Sequence, residues 1–283
     1  MTSELQPWHV LTTVFILGLA TLSTLLGLFR PGHYRDAPGL VESYQMQDLT
    51  ILLVGIPVLA GGLWYAMRGS VRGRIVWLGG LAYMSYMWAS IAVQITFNEL
   101  FLLYVTLFGL SLFTLVGGFA TTDADAIRDA VEGRIRPSLY SGFLIVIGVG
   151  LAALWLSDIV PALISRTSPP LVEEAGPQAM VSHVIDLGVV VPTIFLTAAW
   201  LHQRRTWGFV FAGVVLVLGA TLAASISSMT LVLGGGDTVT VSPVAAFFSI
   251  VPVIIAAVLA VKYVLSMKTK GQSSASDHRH QTA

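Results

Sequence analysis

The sequence contains no cysteine, and its 15 basic and 15 acidic side chains leave it without net charge. The lack of cysteine excludes disulfides, thiolate metal sites, iron–sulfur clusters and thiol catalysis. Zero net charge provides no general basic field for nucleic acid, so no nucleic-acid partner is predicted. Charged residues are scarce altogether, at 11% of the chain, against about 25% in soluble domains.

Long apolar stretches take the place of charge. Hydrophobic residues form 55% of the chain, and the mean hydropathy is +0.80. The stretches approach the roughly 20 residues that a helix needs to cross about 30 Å of hydrocarbon. They are continuous and lack the period-two alternation of barrel strands, so helices are favoured. The sequence therefore predicts an all-α, polytopic membrane bundle whose surroundings are a lipid bilayer.

We expect eight transmembrane helices. They are predicted at 8–29, 48–67, 75–93, 98–119, 139–155 (or to 159), 185–201, 207–228 and 244–265. With this count, twelve of the 15 Lys and Arg residues fall on one side of the membrane. Because basic residues favour cytoplasmic loops, that side is predicted to be cytoplasmic. Both termini are then expected in the cytoplasm and the protein in the cell membrane.

The second and sixth spans share an order of features. Asp48 and Pro57 in the second correspond to Asp186 and Pro192 in the sixth, although the Asp-to-Pro spacing differs by three residues. A tryptophan, a basic loop and a glycine follow in each case. The pattern favours a parallel duplication about an axis along the membrane normal. The alternative is that membrane helices share such features without being related.

The duplication predicts an organisation in four parts. They are a first four-span half at 1–120, a cytoplasmic linker at 121–137, a second four-span half at 138–267 and a tail at 268–283. The linker has the spacing of a short amphipathic helix, with Thr121 or Thr122 as its cap. The tail is rich in Ser, His and Gln and is expected to be disordered. Prolines within the spans, at Pro57, Pro192 and Pro252, are expected to bend their helices.

Polar residues concentrate at the predicted outer ends of the spans. Ionisable groups in membrane helices are costly and often mark ion or substrate sites. His183 and Asp186 are three residues apart, which places them on one helix face. The candidate binding residues are Asp48, Asn98, Glu99, His183 and Asp186.

Three interpretations of these residues remain open. Asp48 and Asp186 are explained without a ligand if they cap the N-termini of their helices. The second interpretation is an outward-facing site for a proton, a cation or a small polar solute. In the third interpretation His33, His183, Asp186 and Glu99 serve a metal-assisted enzyme. No ligand-spacing motif supports a particular metal, and the sequence assigns no cofactor.

The favoured function is a transporter-like protein that binds a proton, a cation or a small polar solute at this outward-facing site. A membrane-embedded enzyme acting on a lipid-linked or small substrate is one alternative, and a non-catalytic accessory subunit is another. A transporter predicts a cavity between the halves that reaches past Pro57 and Pro192. The sequence predicts no particular oligomeric state.

Overall fold

All regular secondary structure in the described residues is helical. This computed structural model describes the backbone of residues 5–234 and 243–267, and the side chains there except at 38, 171, 174, 175 and 225–253. The helices are α1 (Pro7–Phe29), α2 (Pro38–Thr50), α3 (Ile56–Met67), α4 (Val71–Gln94), α5 (Phe101–Ala120), α6 (Ala124–Val131), α7 (Pro137–Ser165), α8 (Pro170–Ala175), α9 (Met180–Ile185), α10 (Val191–His202), α11 (Thr206–Gly234) and α12 (Pro243–Ser266). The predicted all-α class is confirmed. The predicted tail at 268–283 lies outside the described residues.

Within the described part of the chain, seven helical segments are long and apolar enough to cross a bilayer. They are Pro7–Phe29, Gly39–Met67, Val71–Gln94, Phe101–Ala120, Pro137–Ser165, Pro177–His202 and Thr206–Ala224. The eighth predicted span falls on α12, of which Ile254–Ser266 is a shorter apolar helix. Large apolar side chains such as Phe113 and Ile164 lie on the outer surface, 72% and 79% exposed. Such a surface suits lipid, and the chain is a multi-pass membrane protein.

The second and sixth spans begin earlier than the sequence predicts. The second starts with α2 at Pro38, and a 3₁₀ turn at Pro177–Ala179 leads through α9 into the sixth. Hydropathy misses these beginnings because they are polar. In α2 the polar side chains bond to a neighbouring helix: Tyr44 donates to the Gln94 carbonyl at 3.2 Å, and the Gln94 amide donates to Gln47 at 3.0 Å.

Both spans contain a single π-helical turn immediately before their proline. The turns are Ile51–Gly55, between α2 and α3, and Asp186–Val190, between α9 and α10. Pro57 and Pro192 are each the second residue of the helix that follows. A widened turn relieves the clash and the missing hydrogen bond that proline brings to a helix. The side chain of Pro252, the third expected bend, lies outside the described side chains.

The junctions that follow these prolines have the same length up to a shared glycine. Gly73 follows Pro57 by the same interval as Gly208 follows Pro192. A Cβ atom at either glycine would overlap the backbone of the preceding helix, at residues 65–66 in one case and 200–201 in the other. Both helical hairpins therefore need glycine for the same close approach.

Aligning the two segments on Pro57 and Pro192 also relates their hairpin turns and their polar residues. Each hairpin turn contains one residue with positive φ at the equivalent position, Gly69 at 72° and Arg204 at 55°. In this alignment Asp48 corresponds to His183, because each precedes its proline by the same number of residues. Asp186 is not at the equivalent position. The sequence comparison paired the two aspartates because they are chemically alike, whereas the backbone pairs an aspartate with a histidine.

Side-chain contacts define two ends of the bundle. At the arginine-rich end, Arg72 donates to the Leu265 carbonyl at 2.9 Å and Arg134 donates to the Ser266 carbonyl at 3.4 Å. At the opposite, arginine-poor end, the loop at 30–37 is tied to the loop at 95–100. The Thr96 hydroxyl donates to Asp36 at 2.7 Å across these two loops.

A short helix, α6, occupies part of the predicted linker at the arginine-rich end. Its N-cap is Asp123, whose carboxylate accepts from the Ala126 backbone N–H at 3.0 Å. The predicted caps, Thr121 and Thr122, instead accept from the buried Arg74 guanidinium at 2.7 and 3.1 Å. That guanidinium enters from α4, so the two threonines link α4 to the end of α5, and the cap of α6 is the aspartate that follows them.

Candidate functional site

Polar side chains near the arginine-poor end form two clusters. The first polar cluster consists of Tyr34, His33, Asp48, Asn98 and Tyr104. The second polar cluster consists of Tyr86, Trp155, Asp158, His183 and Asp186. No described hydrogen bond or ion pair joins a member of one cluster to a member of the other. Of the five predicted binding residues, Asp48 and Asn98 thus belong to the first cluster and His183 and Asp186 to the second, whereas Glu99 belongs to neither.

Asp48 is the centre of the first polar cluster. It lies about 15 Å along α2 from Pro38, at 1.5 Å per residue, and is 2% exposed. Its carboxylate accepts a hydrogen bond from the Tyr34 hydroxyl. Gly27 on α1 leaves the room for this pair, because a Cβ atom there would overlap both groups. Burial, followed by the charge of Asp48, raises the pKa of Tyr34 and keeps its hydroxyl a donor.

His33 joins this cluster through its ring contact with Tyr34, with centroids 4.7 Å apart, and extends it to Tyr104. Its Nε2 atom lies 3.0 Å from the Tyr104 hydroxyl, which also accepts from the Asn98 amide at 3.3 Å. The Tyr104 hydroxyl therefore contacts both His33 and Asn98, and the other ring nitrogen of His33, Nδ1, is buried without a hydrogen-bond partner among the described residues. Burial lowers the pKa of His33, so the ring is held neutral; Glu99 opposes this shift and Arg30 adds to it.

A small cavity connects the first polar cluster to the arginine-poor surface. Its volume is about 180 Å³, and its lining includes Gly27, Arg30, His33, Tyr34 and Gln45. One water molecule takes about 30 Å³ of liquid volume, so the cavity has room for several. His33 and Tyr34 are therefore within reach of water or a small ion entering from that end.

The second polar cluster links two facing helices through two residue pairs that have the same spacing along each helix. Trp155 and Asp158 are three residues apart on α7, as are His183 and Asp186 on the facing helix. The Trp155 indole donates to Asp186 at 2.8 Å, and His183 Nε2 lies 3.0 Å from Asp158. Residues three apart share a helix face, so both pairs form together when these antiparallel helices pack.

The central helix α4 completes this cluster. Tyr86 interacts with the Asp186 carboxylate and with Ser182. The Trp155 ring packs over the His183 ring with centroids 4.2 Å apart. His183 is 1% exposed, and its Nδ1 atom has no hydrogen-bond partner among the described residues. One buried nitrogen therefore remains available to a water molecule or a ligand.

The interpretation of both aspartates as helix caps is wrong. The N-cap of α2 is Ala37, and Asp48 lies well inside that helix. Asp186 begins a π-turn that continues directly from α9, so it too is preceded by helical backbone. Neither carboxylate faces the free N–H groups that an N-cap satisfies. The interpretation failed because the polar first turns of both helices were assigned to loops.

Asn98 and Glu99 lie in the short loop before α5 and have different surroundings. Asn98 is buried, and its side-chain oxygen accepts from the Leu100 N–H at 2.9 Å. Glu99 is an exposed ion-pair partner of Arg30 at 2.8 Å and of Arg35 at 3.4 Å. Its own backbone N–H, with smaller effects of the two arginines, lowers the pKa of its carboxyl group. The contacts thus place Asn98 in the first polar cluster and Glu99 outside both clusters.

The described residues include no group of three or more His, Asp or Glu side chains able to hold a metal ion. The proposed ligand set of His33, His183, Asp186 and Glu99 is divided between the two clusters and the surface. Sequence reasoning omitted Trp155, whose role shows only when α7 is paired with the sixth span. Comparisons with family models, curated proteins and solved structures found no match.

Proposed function

We propose that this membrane protein is transporter-like and binds a proton or a small cation at the first polar cluster. The observation that carries the proposal is the environment of Asp48. This carboxylate is buried in a membrane-spanning helix, and its hydrogen-bond donor is the neutral Tyr34 hydroxyl. No Lys or Arg among the described residues pairs with it. A buried carboxylate without a cationic partner is stabilised by taking up a proton or a cation.

Asp186 has the same character in the second polar cluster. It is 6% exposed, and its partners Trp155 and Tyr86 are neutral donors. Two buried carboxylates that lack a Lys or Arg partner among the described residues support two related binding positions. They favour a proton or a cation over a neutral solute, because neutral donors alone do not compensate an ionised carboxylate in a low dielectric.

The cavity beside His33 and Tyr34 supports access from the arginine-poor end. The positive-inside rule assigns that end to the outside, which makes the first polar cluster outward-facing. Neither this cavity nor a second one, a groove between α7 and α10, is lined by Pro57 or Pro192. Transport would require a second conformation, and the π-turn that follows Asp48 and the one that begins at Asp186 are the places where the helices are best able to change register.

The matched junctions support the duplication predicted from the sequence. The parts are again 1–120 and 138–267, related through α4 and α11, which pack against each other at Gly79 and Val217. Repeats parallel to each other and related by an axis along the membrane normal occur in transporters. The two polar clusters would then be the equivalent sites of the two halves, with Asp48 and His183 at equivalent positions.

The experiment is a flux measurement in liposomes that contain a pH-sensitive dye. Wild-type protein should carry protons down a pH gradient, or couple them to an opposed Na⁺ or K⁺ gradient. Asp48→Asn keeps an acceptor for Tyr34 but removes the charge. We expect it to lower the initial flux at least about tenfold, equivalent to a loss of about 1.4 kcal/mol. Asp186→Asn should give a second, separate loss.

Glu42→Gln is the matched control, because Glu42 is an exposed carboxylate on the same helix as Asp48. Its flux should equal that of the wild type. Thermal unfolding of each variant in detergent shows whether the fold is kept. Equal flux in folded Asp48→Asn, Glu42→Gln and wild-type protein would reject the proposed site.

A further inference from the structure

A groove opens between α7 and α10 toward the arginine-rich end, far from both polar clusters. Its volume is about 610 Å³, and its lining includes Ser141, Gly142, Ile145, Phe195, His202 and Gln203. Ile145 is 48% exposed, and its neighbour Val146 is 68% exposed. The groove is therefore at the perimeter of the bundle, with apolar walls toward the membrane interior and polar side chains at its foot.

Ser141 indicates that this groove holds a ligand with polar atoms. The residue is 2% exposed, and its hydroxyl has no hydrogen-bond partner among the described residues. A buried hydroxyl without a partner carries a desolvation cost that no hydrogen bond offsets. Hydrocarbon alone would leave that cost in place, whereas the ester or glycerol oxygens of a lipid would remove it.

Three arginines lie beside the polar foot of the groove. Arg136 immediately precedes α7, and Arg204 and Arg205 follow Gln203. All three side chains are exposed, and none forms an ion pair with a described residue. Exposed arginines at the membrane surface attract anionic lipid, and a guanidinium matches the geometry of a phosphate.

We propose that the groove between α7 and α10 binds an anionic phospholipid from the leaflet at the arginine-rich end. One acyl chain lies against Ile145 and Phe195, the ester region reaches Ser141, and the phosphate lies at the foot near Arg204 and Arg205. The proposal is independent of the function of the polar clusters. It commits to a membrane lipid and not to free phosphate, because the apolar walls account for most of the groove.

The test is native mass spectrometry of the full-length protein in detergent, with phosphatidylglycerol, phosphatidylcholine and inorganic phosphate as separate probes. Wild-type protein should retain phosphatidylglycerol most tightly and inorganic phosphate least. Gly142→Leu fills the groove without a clash, since nothing lies within 4 Å of an added Cβ. It should remove most of the bound lipid.

Gly150→Leu is the control on the same helix, because its Cβ also meets nothing within 4 Å and it lies outside the groove. Lipid retention in this variant should match the wild type. Equal retention in the Gly142→Leu and Gly150→Leu variants would overturn the proposal. So would binding of inorganic phosphate as tight as that of phosphatidylglycerol.

Three further variants separate the parts of the site. Arg204→Gln and Arg205→Gln should each weaken phosphatidylglycerol binding about fivefold, the equivalent of about 1 kcal/mol per basic residue near an anionic lipid, and leave phosphatidylcholine unchanged. Ser141→Ala should raise the Tm of lipid-free protein and reduce the increase in Tm that phosphatidylglycerol produces. Equal preference for the two lipids in all variants would reject the role of the arginines.

Discussion

At the scale of single residues, Gly27 determines whether Asp48 fits. Replacement by alanine would place a Cβ atom onto the Asp48 carboxylate and the Tyr34 hydroxyl. Since Asp48 is 2% exposed, its carboxylate has little space to retreat. We expect Gly27→Ala to lower the free energy of unfolding by about 1–3 kcal/mol, measured by thermal or denaturant unfolding in detergent.

Gly18→Ala on the same helix is the matched control. Nothing lies within 4 Å of its added Cβ, so this variant should be neutral or more stable by about 0.5–1 kcal/mol. Equal stabilities for the two alanine variants would show that the contact between α1 and the first polar cluster is not as close as described.

The lowered pKa of His33 predicts how the stability of the folded protein depends on pH. Because burial lowers its pKa in the folded protein from the ordinary 6.5, the unfolded chain binds more protons as the pH falls. Its contribution to stability is complete above about pH 6.5 and is lost as the pH falls toward the lower folded value. Tm should therefore decrease as the pH falls below about 6.5.

His33→Gln should flatten that part of the pH profile, because the glutamine does not titrate. His202→Gln changes an exposed histidine at the arginine-rich end and is expected to leave the slope as in the wild type. A slope unaffected by His33→Gln would assign the pH dependence to other groups.

The sequence identified the ionisable residues of the clusters but not their partners. Asp48, His183 and Asp186 stood out because charge is rare in membrane helices. Tyr34 and Trp155 did not, because tyrosine and tryptophan are ordinary residues near membrane interfaces. Their roles depend on contacts between distant parts of the chain, which periodicity does not report.

At the scale of elements, the two helical hairpins make a paired prediction. Gly73→Ala and Gly208→Ala each place a Cβ atom onto backbone atoms of the preceding helix, and backbone yields less than a side chain does. Each should lower the free energy of unfolding by about 1–3 kcal/mol or more, and the two losses should be similar if the hairpins are repeats.

Gly61→Ala and Gly219→Ala are the corresponding controls, since nothing lies within 4 Å of either added Cβ. Neither should lower Tm. A loss confined to one of the two hairpins would count against their equivalence and against the duplication.

Hydropathy located the helices well where they are uniformly apolar and poorly where they begin with polar turns. The first span was predicted at 8–29 and is found at Pro7–Phe29, whereas the second starts ten residues earlier than expected. The error arose because Tyr44 and Gln47 read as loop residues, although α4 satisfies their hydrogen-bonding groups. The same error led to the interpretation of the aspartates as helix caps.

At the scale of the whole molecule, the bundle separates two chemistries along its axis. Buried carboxylates lie toward the arginine-poor end, and exposed arginines with a lipid-facing groove lie at the other. The alternation of connections between the two ends was predictable from the number of spans and the positions of Arg and Lys. The division of the candidate site into two clusters was not predictable from the sequence. It depends on which helices α4 separates.

The absence of cysteine allows a direct test of that polarity. Single cysteines at the exposed positions Arg134 and Arg205 report on the arginine-rich end, and those at Arg35 and Ser168 report on the opposite end. If the positive-inside rule holds, a membrane-impermeant maleimide added to intact cells should label Arg35→Cys and Ser168→Cys only. Arg134→Cys and Arg205→Cys should react only after permeabilisation. A different result for two cysteines at the same end would contradict the bundle itself, whereas a complete reversal would contradict only its orientation and place the polar clusters toward the cytoplasm.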